Sequence, residues 1–254
     1  MPRPKPPSDP LKYARMVVAY NDEPREPALE DRGVLQLAYN SRNARIGEGT
    51  GEVLPARAPS EIQNEEFMGL AGRGGRSVLS NFHGCEIKMD IPRVLDPDPA
   101  SGFAAAHGGE KSYSSVEHAF QAGKGYVILR NDPGASIRIL GDIRNFEMSD
   151  AGPALLKKMG GKAGRFKMSE LAAEAWGEAS YRVMQAAVVS KASHVEFRRA
   201  LDLTGDMVLV HQLRGTPDLR ISRILHELRA ELRLAGCACH FFDLGCIHDE
   251  ATWI

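Results

Sequence analysis

Three side chains that can do chemistry stand at helical spacing in one segment of the sequence. Glu117, Gln121 and Lys124 occupy positions i, i+4 and i+7, so on an α-helix they share one stripe of the surface. Ser114 or Ser115 can cap this helix, because a serine hydroxyl accepts a hydrogen bond from an amide of the first turn. The sequence therefore predicts a helix that presents a carboxylate, an amide and an amine in a row.

Glu117 and Lys124 are the predicted catalytic pair. A carboxylate in a first helical turn is expected to stay ionised beside the positive helix end, and a partly buried amine loses proton affinity and becomes a nucleophile. The alternative interpretation of the stripe is a solvated, charged helix face.

The same segment carries a family resemblance. Its pattern Tyr-x-Ser-x-Glu-His-x-Phe-Gln-Ala-x-Lys, at residues 113–124, resembles the signature of the NADAR family, the NAD- and ADP-ribose-associated proteins related to the YbiA-like N-glycosidases. Further segments resemble the family in the same order, and together they cover roughly residues 77 to 234. These segments are residues 79–82, 158–161, 176, 183–191, 201–210 and 223–229.

The sequence departs from the family's pattern after Leu209 and Val210. The family usually has a glutamate at the next position, where this chain has His211. The family's Trp-Gly-x-Gly loop is replaced by the shorter run of residues 212–222, which contains no tryptophan. One wall of the family's pocket is therefore altered, and we expect this change to affect substrate choice or activity.

The resemblance implies an N-glycosidase or ADP-ribosyl hydrolase that needs no cofactor. Its leading substrates would be ADP-ribosylated guanine in nucleic acid or nucleosides, or phosphorylated ribosyl-amine intermediates of riboflavin synthesis. Lys124 would form a Schiff base with the opened ribose. The resemblance also suggests an ADP-ribosyltransferase as a counterpart.

Two other functions stay open. The altered loop is compatible with a module that binds ADP-ribose or NAD without turnover. A structural protein that kept only the fold is the third interpretation. Glu117 and Lys124 together argue against it, because packing alone does not require both residues.

Seven residues are predicted to contact the substrate: Asn81, Phe82, His118, Gln121, Lys158, Trp176 and His211. Asn81 would hydrogen-bond a sugar or phosphate, or else cap a turn. Phe82 or Trp176 would stack on a flat base, and a core tryptophan is the alternative for Trp176. His118 is more typical of a packed or backbone-bonded histidine than of a base, and His211 is either a substituted site residue or a surface residue.

Basic residues surround a glycine turn at residues 160–161. Lys158, Lys162 and Arg165 carry ammonium and guanidinium groups, which pair well with a diphosphate. A solvated basic loop explains the same residues equally well.

Composition limits the class of protein. The chain has 254 residues with 32 basic and 33 acidic side chains, so it can bury a sizeable core and has no overall charge for a polyanion. It contains no run of about 18 apolar residues, so a membrane span is not expected. The proline- and lysine-rich start lacks the apolar segment of a secretory signal. We therefore expect a cytoplasmic protein without a membrane partner.

Three of the four cysteines crowd near the end of the sequence, together with two histidines. These residues are Cys237, Cys239, His240, Cys246 and His248. Their spacing is poor for zinc, and the neighbouring phenylalanines suggest a packed apolar tail instead. No metal site is therefore predicted.

Helical patterns outnumber strand patterns, and no alternation of strand and helix appears. The predicted fold is mainly α, a YbiA-like helical domain, with a few short β-strands. Its predicted parts are an N-terminal extension at residues 1–76 (disordered at 1–10), the domain at 77–234 and a tail at 235–254. Besides the helix from 114 to 130, helices are predicted at 132–140, 150–160, 169–192, 193–201 and 218–234. Strands are predicted at 16–20, 34–39, 85–91 and 207–213, a short strand that leads into a loop at 77–82, and a loop at 94–109.

Overall fold

The computed structural model describes residues 10–23, 32–38, 78–98, 101–132, 134, 136–161, 164–213 and 216–234. Within these ranges the chain is mainly α-helical with a few short strands, which confirms the predicted fold class. The cysteine- and histidine-rich tail and Lys162 lie outside the described residues.

The described elements are three helices of 16 or more residues, with shorter helices and strands before and between them. The helices are α1 (Pro10–Tyr20), α2 (Ile91–Leu95), α3 (Gly102–His107), α4 (Val116–Asn131), α5 (Ser136–Glu147), α6 (Pro153–Met159), α7 (Glu170–Lys191), α8 (Val195–Leu203) and α9 (Leu219–Leu234). The strands are β1 (Val34–Ala38), β2 (Ile87–Met89), β3 (Lys111–Tyr113), β4 (Val208–Leu213) and β5 (Thr216–Pro217).

Helix α4 forms at the predicted place and lies at the centre of the core. The Ser115 hydroxyl accepts a hydrogen bond from the His118 amide at 3.1 Å and so caps the first turn, as predicted. A Cβ atom on Gly123 would come within 2.9 Å of Val183 on α7, and one on Gly125 within 2.6 Å of Ile143 on α5. The two glycines therefore let α4 lie close to a helix on each side.

The strands form two small sheets. β1 pairs with β4 in parallel, from Val34 opposite Val208 onwards, and β5 extends this sheet on the other edge of β4. β2 and β3 form an antiparallel pair that leads into α4. Helix α1 packs on the larger sheet and buries Tyr13, Ala14, Val17 and Val18 beside strand valines. The first described segments thus share a core with strand β4, near the far end of the sequence.

Four predicted local structures are wrong. Residues 16–20 belong to helix α1, because the buried positions of this segment recur at helical spacing. Residues 78–82 form a helical turn followed by a bend, and the predicted loop at 94–109 contains α3, which Ser101 caps. The Ser193 hydroxyl bonds back to the Ser190 carbonyl, so it does not cap α8.

None of the helices in the described part of the chain has the length and apolar character that a bilayer crossing requires. The core instead holds the buried faces of α4, α5 and α7 against one another. The fold therefore places the first turns of α4 beside the turn at residues 79–83, where the predicted site residues meet.

Candidate active site

Glu117 is held in a buried position at the start of α4. Its backbone amide donates to the carbonyl of Asn81 at 3.0 Å, which joins the turn at residues 79–83 to the helix. Its carboxylate accepts a hydrogen bond from the side-chain nitrogen of Gln121 at 2.6 Å. Only 5% of Glu117 is exposed, so the carboxyl group has little contact with bulk water.

Lys124 lies two turns after Glu117 along the same face. Its Nζ donates to the side-chain oxygen of Gln121 at 2.6 Å and to the carbonyl of Gly160 at 3.3 Å. The amine also lies 5.9 Å from the centre of the Phe120 ring and 6.0 Å from that of Trp176. The predicted stripe of carboxylate, amide and amine is therefore present, and the amide bonds to both of its neighbours.

Burial changes the protonation of both charged groups. It raises the pKa of Glu117, although the ammonium groups of Lys157 and Lys124 and the bond from Gln121 act in the opposite direction. Burial lowers the pKa of Lys124, against the raising effect of the Glu117 carboxylate. The expectation that the helix end keeps Glu117 ionised stays a prediction, and desolvation acts against it. Burial thus shifts the acid towards its protonated form and the amine towards its neutral form.

Aromatic rings lie near the Lys124 amine and near Lys157. Phe120 and Trp176 pack with their ring centres 4.9 Å apart at a tilted angle, and Trp176 is only partly buried. Phe82 is buried in the turn before α4, and the Lys157 Nζ lies 5.0 Å from its ring centre. The predicted Trp176 thus lies beside the amine, and the predicted Phe82 belongs to the turn that bonds to the Glu117 amide.

Lys157 is a site residue that the sequence analysis missed in favour of its neighbour Lys158. Its charge acts on Glu117, Lys124 and His211. Lys158 and Arg165 are both exposed. The helical phase of α6 is the signal that separates the two lysines, since adjacent residues point about 100° apart.

His211 lies at the end of the site that Lys157 reaches. Its backbone is fixed, since its amide donates to Ser222 at 3.0 Å and its carbonyl accepts from the Asp218 amide at 2.7 Å. Its Nδ1 is buried and has no hydrogen-bond partner among the described residues. Burial lowers the pKa of His211 to about 4, partly offset by Asp218. Burial therefore favours the neutral form of this ring.

Asn81 and His118 hold the local structure together. The Asn81 side chain is buried and its nitrogen lies 3.5 Å from the sulfur of Met184. The His118 ring nitrogens bond to Ser114 at 3.0 Å and to the Phe146 carbonyl at 2.9 Å, and 1% of the residue is exposed. The Asn81 amide and the His118 ring thus both bond to other residues of the protein. The bond from His118 to Phe146 helps to pack α4 against α5.

A buried lysine supports the turn that carries Asn81 and Phe82. The Lys191 Nζ donates to the carbonyl of Ser80 at 2.7 Å and lies 4.8 Å from the centre of the Phe197 ring. Burial lowers the pKa of Lys191 to about 7.

Among the described residues, no group of three or more His, Cys, Asp or Glu side chains is arranged to hold a metal ion.

Comparison with known proteins finds one weak structural similarity. No family model matches the chain, and no curated protein matches it. Among solved structures, the chain is similar to the E. coli protein YbiA, whose structure was determined by NMR. The identity is 19%, the match covers 65% of this chain and 83% of that chain, and the TM-score is 0.42. The likeness is weak.

Proposed function

We propose that the protein is a hydrolase of N-glycosidic bonds that removes ADP-ribose from guanine bases of nucleic acid or nucleosides. One observation carries this proposal: a buried carboxyl group and a partly buried amine bond to the same amide, 2.6 Å on each side. The NADAR-like sequence pattern supports the choice of substrate. The aromatic rings of Phe82 and Trp176 support a ligand with a flat base.

Glu117 supplies the proton for the leaving base. Burial raises the pKa of Glu117, and in its protonated form the carboxyl group donates a proton to the base nitrogen as the bond from C1′ to nitrogen breaks. The electron pair of this bond moves to the base. The carboxylate that remains stabilises the positive charge that develops on the sugar.

Lys124 captures the sugar. Its neutral amine attacks C1′ and forms a carbon–nitrogen bond. The new nitrogen loses a proton to Glu117, the ring oxygen leaves C1′ and takes up a proton, and a Schiff base remains. Water then adds to the C=N bond, the sugar leaves with a free anomeric hydroxyl group, and the amine is restored.

Lys157 serves the phosphate-bearing part of the ligand. Its ammonium group stands at the Phe82 ring, beside the acid and the amine, and an ammonium group pairs with a diphosphate. Burial lowers the pKa of Lys124, and the Lys157 charge acts in the same direction, so Lys157 also favours the nucleophilic form of the amine. Substrates without a phosphate, such as plain nucleosides, should therefore be poor.

A non-catalytic ADP-ribose or NAD reader is the second candidate function. The observation that favours it is His211, a neutral ring at the position where the family has an acid. A ligand could still bind between the aromatic rings and Lys157. An N-glycosidase of phosphorylated riboflavin-pathway intermediates would use the same residues and is distinguished by substrate alone.

The test is a release assay on defined substrates. The purified protein is incubated with ADP-ribosylated guanosine or with a phosphorylated ribosyl-amine pyrimidine, and the free sugar is measured by mass spectrometry. Release of ADP-ribose that disappears in Lys124→Met supports the proposal. Release of the sugar from the ribosyl-amine pyrimidine alone would reject ADP-ribosylated guanine as the substrate and support a riboflavin-pathway intermediate. Binding of ADP-ribose without any release establishes the reader.

A further inference from the structure

Gln121 stands between the two proposed catalytic groups and bonds to both. Its side-chain nitrogen donates to Glu117 at 2.6 Å, and its side-chain oxygen accepts from Lys124 at 2.6 Å. Only 3% of the residue is exposed. The substrate contact predicted for Gln121 from the sequence stays a prediction, and in the structure the side chain bonds to Glu117 and Lys124.

The bonds of Lys124 define where its lone pair points. A neutral amine has two N–H groups, and the Lys124 Nζ has two acceptors, the oxygens of Gln121 and Gly160. When both N–H groups donate, the lone pair takes a remaining tetrahedral direction. An amine held in this way is oriented before the substrate arrives, which lowers the cost of the attack.

The backbone of Gly160 packs against the Gln121 side chain and limits its movement. A Cβ atom on Gly160 would lie 2.6 Å from the Gln121 side-chain oxygen and 2.7 Å from its Cβ. The backbone of Gly160 has φ −86° and ψ −3°, which any residue can adopt. Glycine is therefore required here for space, because the backbone at the end of α6 packs directly on Gln121.

We propose that Gln121 is a positioning residue: its amide, fixed by Gly160, orients the Lys124 amine and links it to Glu117. The inference rests on the proposed function for the reaction that the amine performs. The effect of Gln121 on the reactivity of Lys124 can be measured without a substrate.

The charged groups around Lys124 determine the effect of changing the amide. Glu117 on α4 raises the pKa of Lys124, and Lys157 on α6 lowers it. The neighbouring helices contribute uncharged groups: Trp176 of α7 lies near the Lys124 amine, and Ile143 of α5 packs against Gly125 of α4. Gln121→Glu keeps the shape but puts an additional acid beside the amine and Glu117. Even if the two acids share one proton, the site gains a negative charge.

The experiment measures acetylation of Lys124 by trace acetic anhydride as a function of pH, because only the neutral amine reacts. Peptide mass spectrometry compares Lys124 with the exposed Lys167 in the same sample. We expect Gln121→Glu to move the Lys124 midpoint upwards by about 1 to 3 pH units. Gln121→Met removes both bonds without adding charge, so its midpoint stays at or below that of the wild type. Asn145→Asp, at an exposed amide of α5, is the control and should leave the midpoint unchanged.

Turnover gives the second readout. If the release assay shows activity, both Gln121 variants should lower kcat at least tenfold with little change in KM, whereas a substrate contact would raise KM. An unchanged acetylation midpoint in Gln121→Glu would overturn the inference. A shifted midpoint in a protein that releases no sugar would keep the positioning role and reject only the proposed reaction. Circular dichroism melts identify any variant that fails to fold. If a Gln121 variant does not fold, Gly160→Ala replaces it, because the added Cβ atom displaces the Gln121 side chain without changing its chemistry.

Discussion

At the scale of residues, burial decides what the site can do. The helical spacing of Glu117, Gln121 and Lys124 is visible in the sequence, and the structure places them as that spacing predicts. The protonation of Glu117 was not predictable, because it depends on how deeply the first turn of α4 is covered. Lys157 was missed for a similar reason, since its charge reaches the site only when α6 packs on α4.

The first prediction concerns the proton on Glu117. Glu117→Gln keeps the size and the burial but removes the acid, so kcat for base release should fall by about 10² to 10⁴. Binding of ADP-ribose, measured by isothermal titration calorimetry, should stay within a few-fold of the wild type. Glu174→Gln, at an exposed position of α7, is the matched control. Full activity of Glu117→Gln would remove this residue from the mechanism.

The second prediction concerns His211. A glutamate at this position adds a negative charge near the Lys157 ammonium, which already acts on the His211 ring. His211→Glu should therefore weaken ADP-ribose binding about three- to tenfold, whereas the neutral His211→Gln should not. Calorimetric titration of both variants measures this difference. Equal affinities for the two variants would show that His211 lies beyond the reach of the phosphates.

At the scale of elements, the helix pattern of the core was predictable and the short connections were not. The segments that became α4, α6, α7 and α9 show helical periodicity and caps or breakers in the sequence. Residues 16–20 form a continuous apolar run, which fits a strand or a helix equally well, and the packing of α1 on β4 selects the helix. Residues 79–82 turn because Lys191 holds the Ser80 carbonyl from a distant part of the chain.

The third prediction concerns the close packing of α4 and α7. Gly123→Ala puts a Cβ atom 2.9 Å from Val183 and 3.3 Å from Trp176, so the free energy of unfolding should fall by about 1 to 3 kcal/mol. Gly177→Ala, on α7, meets nothing within 4 Å and should stabilise the protein by about 0.4 to 1 kcal/mol. Urea unfolding of both variants gives the comparison. A loss of stability in Gly177→Ala equal to that in Gly123→Ala would contradict it.

At the scale of the molecule, segments far apart in sequence complete one core. β1 pairs with β4 across more than 170 positions, and no local pattern in either segment predicts that pairing. The boundary predicted at residue 76 remains a prediction, although α1 and β1 pack on β4. A polar cluster also joins these parts: His226 on α9 bonds through Nδ1 to Glu23 at 2.6 Å and accepts the Leu209 amide at 2.9 Å.

The fourth prediction is the pH dependence of stability that this cluster creates. The Leu209 amide requires an unprotonated Nε2, and burial lowers the pKa of His226, while bonds from His226, Asn21 and Arg32 lower that of Glu23. Below pH about 6.5 the unfolded chain therefore binds protons that the folded His226 resists, so stability is lost as the pH falls. Glu23 adds to this loss at lower pH, as its depressed pKa is approached.

Thermal melts at pH 7, 6 and 5 test this dependence. The wild-type Tm should fall across the range, and His226→Gln should show a smaller fall. His211 acts in the same direction and Glu117 in the opposite one, since their pKa values are lowered and raised. The difference between the wild type and His226→Gln isolates the cluster. An identical slope in both proteins would show that His226 does not titrate differently on folding.

The central claim is that Lys124 acts as a nucleophile on a sugar. The protein is incubated with ADP-ribosylated guanosine in the presence of borohydride, and tryptic peptides are analysed by mass spectrometry. We predict a reduced covalent sugar adduct on Lys124, with release of free guanosine. Release of guanosine without an adduct on Lys124 would contradict the claim and leave Glu117 and water as the catalysts, and the absence of both would reject the hydrolase.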